Sequence, residues 1–233
     1  MDMMILTGML LLGGLLNFMK ELDLKSARRI AGIYVFIVLV AALYKWIFYF
    51  VGIKDADLLK VIGIFLQIMN TLAYTLLGYL TAYIVLNFQQ ATGEAENEGL
   101  KKAIRLTRWA ISISIANALM IATAGKSQNM GYMLDFFRQS GYASWFLYFI
   151  MIAEPIAALG ILFHYKLKTG LFAAPSLIII MLGAIYTHLH NHDPFPDSYA
   201  AMVQLINLSL LLLVYYFENQ ASKNHPFTPV YIV

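Results

Sequence analysis

The sequence predicts an all-α integral membrane protein with seven transmembrane helices. Of its 233 residues, 61% are hydrophobic and only 12% are charged, a composition typical of polytopic membrane proteins. The apolar residues form separate runs of about 18 residues or more, and about 20 helical residues cross the roughly 30 Å hydrocarbon core. Lysines and arginines fall mostly in short loops between these runs, so they indicate membrane topology and no nucleic-acid surface.

The seven predicted spans cover residues 3–19, 30–53, 58–88, 105–124, 144–165, 170–190 and 198–217. Lys45, near the end of the second span, is expected to reach the membrane interface. The third span carries a polar stripe at helical spacing, formed by Gln67, Thr71, Tyr74 and Gly78. Residues 89–102, QQATGEAENEGLKK, predict a soluble linker. Residues 126–142 mix aromatic and charged side chains too closely for a span, so they predict an amphipathic segment at the membrane surface.

The distribution of basic residues predicts the orientation of the chain. Lysines and arginines are concentrated in residues 20–29, in residues 89–108 and in the turn that contains Lys166 and Lys168. The opposite loops are poorer, and HLHNHDPFPDSY contains neither residue type. The positive-inside rule therefore predicts an N-terminus outside and a cytoplasmic C-terminus, and we expect this topology in a bacterial inner membrane.

A lone carboxylate, Glu154, stands in the middle of the fifth predicted span. It follows Trp145 by nine residues, or about 13 Å along a helix, which predicts a position near the bilayer midplane. A charged group is unfavourable at that depth, so such a residue is a functional candidate. Arg108 and Lys126 are expected near the two ends of the fourth span. With no cation close by, we expect Glu154 to be neutral and to donate a hydrogen bond.

Asn117 is the polar residue predicted to lie closest to Glu154. It follows Arg108 by nine residues and should reach a similar depth on the neighbouring helix. Two interpretations remain open, because Asn117 could bind a ligand beside Glu154 or could make an interhelical hydrogen bond of structural value.

Four potential metal ligands stand within six residues at the outer end of the sixth span: His188, His190, His192 and Asp193. If the helix continued, His188 and His192 would face the same way, a spacing that suits a divalent metal. Pro194 and Pro196 predict instead that the helix ends near this point, and interfacial imidazoles are well solvated, so a metal is the less favoured interpretation. The chain has no cysteine, which excludes thiolate zinc sites, iron–sulfur ligation and a CxxC redox pair within it. His164, at the other end of the fifth span, is expected to be interfacial.

Five sequence features appear in order along the second half of the chain. They are Thr107-Arg108-Trp109, Gly125-Lys126, FFRQSGY (Phe136 to Tyr142), E-x-x-x-A-L-G (Glu154 to Gly160) and GAIYTHL (Gly183 to Leu189). By these features, residues about 103–217 resemble the DoxX family of small four-helix membrane proteins. The resemblance divides the chain into a three-span extension with a cytoplasmic linker (1–100), a DoxX-like four-helix unit (101–217) and a cytoplasmic tail (218–233).

The resemblance implies a redox-associated membrane subunit, similar to the small subunit of thiosulfate:quinone oxidoreductase. Quinone is then the implied ligand, with Glu154 as the catalytic acid and with Asn117, Lys126 and His188 as polar neighbours. Because the chain lacks cysteine, another membrane or extracytoplasmic subunit would supply the electrons. The alternative is a non-enzymatic assembly or scaffold subunit in which Glu154 only holds helices together. Transport is less favoured, because the two halves show no inverted repeat.

Overall fold

The computed structural model describes residues 3–19, 24–51, 56–88 and 94–223, and these residues form helices joined by short turns. In chain order the helices are α1 (Met3–Met19), α2 (Leu24–Val51), α3 (Ala56–Asn87), α4 (Glu94–Gln128), α5 (Met130–Gln139), α6 (Ser144–Leu162), α7 (His164–Leu167), α8 (Gly170–His190) and α9 (Tyr199–Lys223). A single 3₁₀ turn, Phe195–Ser198, precedes α9. No strand occurs in these described ranges.

Six segments are long and apolar enough to cross a membrane, and they lie in α2, α3, α4, α6 and α8 and in the 3₁₀ turn together with α9. Helix α1 adds a shorter apolar stretch, Thr7–Asn17. Large side chains such as Phe50, Phe172 and Ile179 are exposed on the outside of the bundle, where lipid chains would cover them. The prediction of an all-helical polytopic membrane protein is therefore confirmed.

Helix α4 lies at the centre of the bundle. It packs against α2, α6 and α9, while α1 packs mainly on α3 and α8 contacts both α6 and α9. One hydrophobic core joins the helices, and it includes Ala31 of α2, Leu80 of α3, Ile111 of α4 and Leu208 of α9. The N-terminal helices and the later ones thus bury their apolar faces against each other.

Two segments that were predicted to lie outside the spans are partly helical. Residues 94–102, which the sequence analysis assigned to a linker, form the first turns of α4, and residues 89–93 lie outside the described part. Glutamate, alanine and lysine favour helix, and Glu98 approaches Lys101 at 3.7 Å one turn later. The predicted tail from residue 218 is also helical as far as Lys223. The rest of that tail, 224–233, lies outside the described residues.

The amphipathic segment contains a short helix, as its composition indicates. Helix α5 runs along one end of the bundle between α4 and α6, and none of its residues is buried. Phe136 and Phe137 turn toward the bundle, where the ring of Phe137 lies 5.8 Å from that of Tyr142 and 6.2 Å from that of Phe146, whereas Tyr132 is exposed. Helix α5 therefore covers the end of the bundle at which α4 finishes and α6 begins.

Candidate functional site

Glu154 is buried between α4 and α6, with only 3% of its surface exposed. The Nζ atom of Lys126, in the last turn of α4, lies 2.6 Å from each carboxylate oxygen. Thr123, one turn earlier on the same helix, donates a hydrogen bond of 3.2 Å from its hydroxyl to Oε2. The site is therefore a compact ion pair with a hydroxyl group beside it, set in an apolar bundle.

The expectation that no cation lies near Glu154 is wrong. Helix α4 continues to Gln128, so Lys126 is still helical and points along α6, and its four-carbon side chain spans the remaining distance. Glu154 is ten residues into α6, or about 15 Å from its start. The absence of a nearby cation, on which the expectation of a neutral Glu154 rested, therefore does not hold.

Asn117 does not join this pair. Nine helical residues separate it from Lys126, which turns the two side chains about 180° apart around the axis of α4. Lys126 faces α6, whereas Asn117 lines a cavity with residues of α2, α3 and α9. Lys45 lines the same cavity, and its predicted reach to the membrane interface stays a prediction.

His188 pairs with Asp193 at the end of α8. Its Nδ1 atom lies 2.8 Å from Oδ2 of the aspartate, and its ring is 5.6 Å from that of Phe136 on α5. The two remaining histidines turn elsewhere, because His190 stacks on Tyr186 and His192 is exposed with a φ of 57°. Within the described residues, no three potential ligands are grouped for a metal ion. The metal site stays a prediction. Of its four predicted ligands, His188 and Asp193 are in contact with each other.

A second polar cluster occupies the opposite end of the bundle. Arg108 is fully buried in α4, and its Nε atom lies 3.0 Å from Oε2 of Glu218 in α9. His164 stacks on Tyr215 with ring centroids 3.8 Å apart. Burial, helped by the nearby charges of Arg108 and Lys168, lowers the pKa of His164 to about 4. His164 is therefore partly buried and neutral at pH 7, and its interfacial position stays a prediction.

Thr123, Glu218 and Gln204, which lines the cavity beside Asn117, were not among the residues predicted from the sequence. Thr123 carries a detectable signal, because it precedes Lys126 by three residues and so shares its helix face. Glu218 follows Arg108 by more than a hundred residues, and no local pattern connects the two. In the sequence, Gln204 is an ordinary polar residue of an apolar helix. Its position in the cavity wall follows only from the packing of α9 against α4.

Comparison with known protein families gives a match in the second half of the chain. Residues 110–214 match the DoxX-like family, from the middle of α4 to the last turns of α9. No curated protein and no solved structure matches the chain. The match contains Lys126, Glu154 and His188 but none of α1, α2 or α3. It confirms the resemblance that the sequence predicted for residues about 103–217, over residues 110–214.

Proposed function

We propose that the chain is a redox-associated membrane protein that binds a quinone or a similar small molecule beside Glu154 and Lys126. The observation that supports this proposal is the buried ion pair within the DoxX-like unit. Charged groups inside a membrane are unfavourable and are found mainly where they bind ligands or move protons. Lys126 lies in the last turn of α4, at the end of the bundle that α5 covers, and a ligand would reach the pair from that end.

The groups present suit a ligand with carbonyl oxygens. A quinone supplies two-electron redox chemistry, and its reduction to the quinol takes up two protons. Lys126 and Thr123 would donate hydrogen bonds to the carbonyl oxygens, and Glu154 would hold a proton for transfer. The electrons would come from a partner subunit, since the chain contains no cysteine for a thiol or iron–sulfur centre of its own.

We also propose the orientation and the membrane. The charge distribution favours a bacterial inner membrane with the end that carries Lys126 and His188 facing outward. The partner that delivers electrons would then be an extracytoplasmic protein or another membrane subunit. The whole assembly would be a multi-subunit complex.

A scaffold function is the second candidate, and the same ion pair provides its specific support. Both oxygens of Glu154 are already in contact with Lys126, so the pair joins α4 to α6 without any ligand. A contact of this kind holds two helices in a fixed register. Under this alternative, the chain organises a larger complex and its charges take no part in chemistry.

A double variant separates the two functions. Removing one charge alone would leave the other buried and unpaired, which costs about 3–5 kcal/mol and confounds the result. Glu154→Gln combined with Lys126→Gln keeps hydrogen-bonding side chains of similar length and removes both charges. We expect this variant to fold in lipid nanodiscs with a helical circular dichroism spectrum like that of the wild type, but to bind a short-chain ubiquinone about tenfold or more weakly.

The matched control is Glu98→Gln with Lys101→Gln, which removes an exposed ion pair of the same residue types. It should bind the quinone as the wild type does. A folded Glu154→Gln/Lys126→Gln protein with unchanged quinone affinity would contradict the redox proposal, as would a wild-type chain that shows no saturable binding. Both of these results favour the scaffold function.

A further inference from the structure

A polar cavity of about 160 Å³ lies inside the bundle, enclosed by α2, α3, α4 and α9. Helices α2 and α3 belong to the N-terminal extension, whereas the matched part of the chain contributes only α4 and α9. The cavity is therefore built jointly by the two halves, and the family unit alone could not form it. It is also separate from the ion pair, because Asn117 and Lys126 lie on opposite faces of α4.

The wall of the cavity is rich in hydrogen-bond donors. Tyr34 is only 2% exposed, and its hydroxyl makes no hydrogen bond within the described residues. Lys45 and Ser114 likewise line the cavity and, in the described part of the chain, have no partner. Polar groups inside a membrane protein normally find partners, so these three donors indicate that something else satisfies them.

Two amide side chains add further donors. The side-chain oxygens of Asn117 and Gln204 are buried and, among the described residues, accept no hydrogen bond. Both residues line the cavity, so each amide brings a donor N–H group as well as an unpaired acceptor oxygen to its wall. One hydrogen-bonded pair is present among the described wall residues. The amide nitrogen of Asn207 on α9 donates a hydrogen bond of 2.9 Å to the hydroxyl oxygen of Tyr74 on α3.

The charge balance of the cavity favours an anion. Among the described residues, Lys45 is the one charged residue that lines it, and no described carboxylate forms an ion pair with Lys45. An unpaired cation in a largely apolar cavity is unfavourable, and a bound anion would offset it. Apolar side chains, among them Val38 and Val203, form the rest of the wall and would cover an organic body.

We propose that this cavity is a binding site for a small organic carboxylate. A cavity of about 150 Å³ in another protein holds one benzene ring, so a single ring or a short aliphatic chain fits the space here. The carboxylate would accept hydrogen bonds from Lys45, Tyr34 and the amide groups. Lys45 lies six residues before the end of α2, or about 9 Å along the helix. A ligand would therefore enter the site from the end of the bundle at which α2 finishes.

Benzoate is a suitable probe, and benzamide is its uncharged counterpart of the same shape. Calorimetric titration of the full chain in nanodiscs should give saturable benzoate binding at least about tenfold tighter than benzamide binding. Lys45→Met should weaken benzoate binding by about 10- to 100-fold, because a charge-assisted hydrogen bond is lost. Ala118→Leu should abolish binding by filling the cavity, and it leaves the charge in place.

Controls of the same chemistry are available on the exposed surface of α4. Lys102→Met and Ala122→Leu change exposed positions outside the cavity and should bind benzoate as the wild type does. Any of three results would overturn the proposal: no saturable benzoate binding, equal affinity for benzamide, or unchanged binding in both Lys45→Met and Ala118→Leu. In the first case, the cavity holds only water; in the second, it prefers neutral acceptors such as a quinone.

Discussion

His164 illustrates how a single residue depends on its surroundings. Its ring lies flat against Tyr215 in a partly buried position, and Gly170 packs so closely that a side chain there would meet both rings. The positive charges of Arg108 and Lys168 oppose a further positive charge on the imidazole. The pKa of His164 is thus lowered from 6.5 to about 4, and the folded protein holds this residue neutral.

This lowered pKa predicts a pH dependence of stability. Between pH 6.5 and about 4 the unfolded chain takes up a proton at His164 while the folded chain does not. The unfolded state then binds more protons, so the free energy of unfolding falls as the pH drops through this window. We expect the free energy of unfolding of His164→Gln to fall less over this pH range than that of the wild type. The measurement is the unfolding midpoint in detergent at pH 7, 6 and 5, for the variant and for the wild type.

His190→Gln is the control, because His190 is exposed at the end of α8. It should keep the wild-type slope of stability against pH. If His164→Gln and the wild type lose stability equally between pH 7 and 5, then His164 is not the residue responsible.

At the scale of the helices, α1 and α3 pack through glycine. A side chain at Gly13 would collide with the carbonyl group of Thr75, and one at Gly78 would collide with that of Leu10. Small residues let helix backbones approach closely in membranes, where close packing drives association. This contact explains why the polar stripe of the third predicted span ends in a glycine.

Substitution of these glycines should therefore separate the two helices. Gly78→Ala is expected to destabilise the protein by about 1–3 kcal/mol, because the added methyl group forces the backbones apart. Gly63→Ala on the same helix is the matched control, since no atom lies within 4 Å of the new side chain. It should be neutral or stabilise by up to about 1 kcal/mol through helix propensity.

Reversible unfolding in mixed micelles measures the free energy of unfolding of both variants and of the wild type. Equal stability of Gly78→Ala and Gly63→Ala would show that the close approach of α1 and α3 does not contribute to stability.

For the whole molecule, the orientation in the membrane is the property to test. The chain has no native cysteine, so a single introduced one reports its own side of the membrane. Lys102 and Asp197 are both exposed and lie at opposite ends of the bundle. With an outward N-terminus, an impermeant maleimide added to intact cells should label Asp197→Cys and should label Lys102→Cys only after the membrane is opened. The reverse pattern would show that the positive-inside assignment is wrong.

The sequence by itself determined the class of fold, the approximate spans, the DoxX-like segment and the buried position of Glu154. These are local properties. The length of an apolar run shows whether the helix can cross a membrane. A carboxylate in the middle of such a run must be buried when the helix packs. Even the amphipathic α5 could be predicted from the spacing of its own side chains.

Only the tertiary structure decided which polar groups meet. Lys126 and Glu154 are 28 residues apart, and their contact depends on where α4 ends and how far a lysine side chain reaches. The sequence placed Asn117 beside Glu154 by depth alone, but a helix also has a rotation about its axis, which turned Asn117 toward α2 and α9 instead. Depth follows from counting residues along one helix, whereas rotation is set by the packing of all its neighbours.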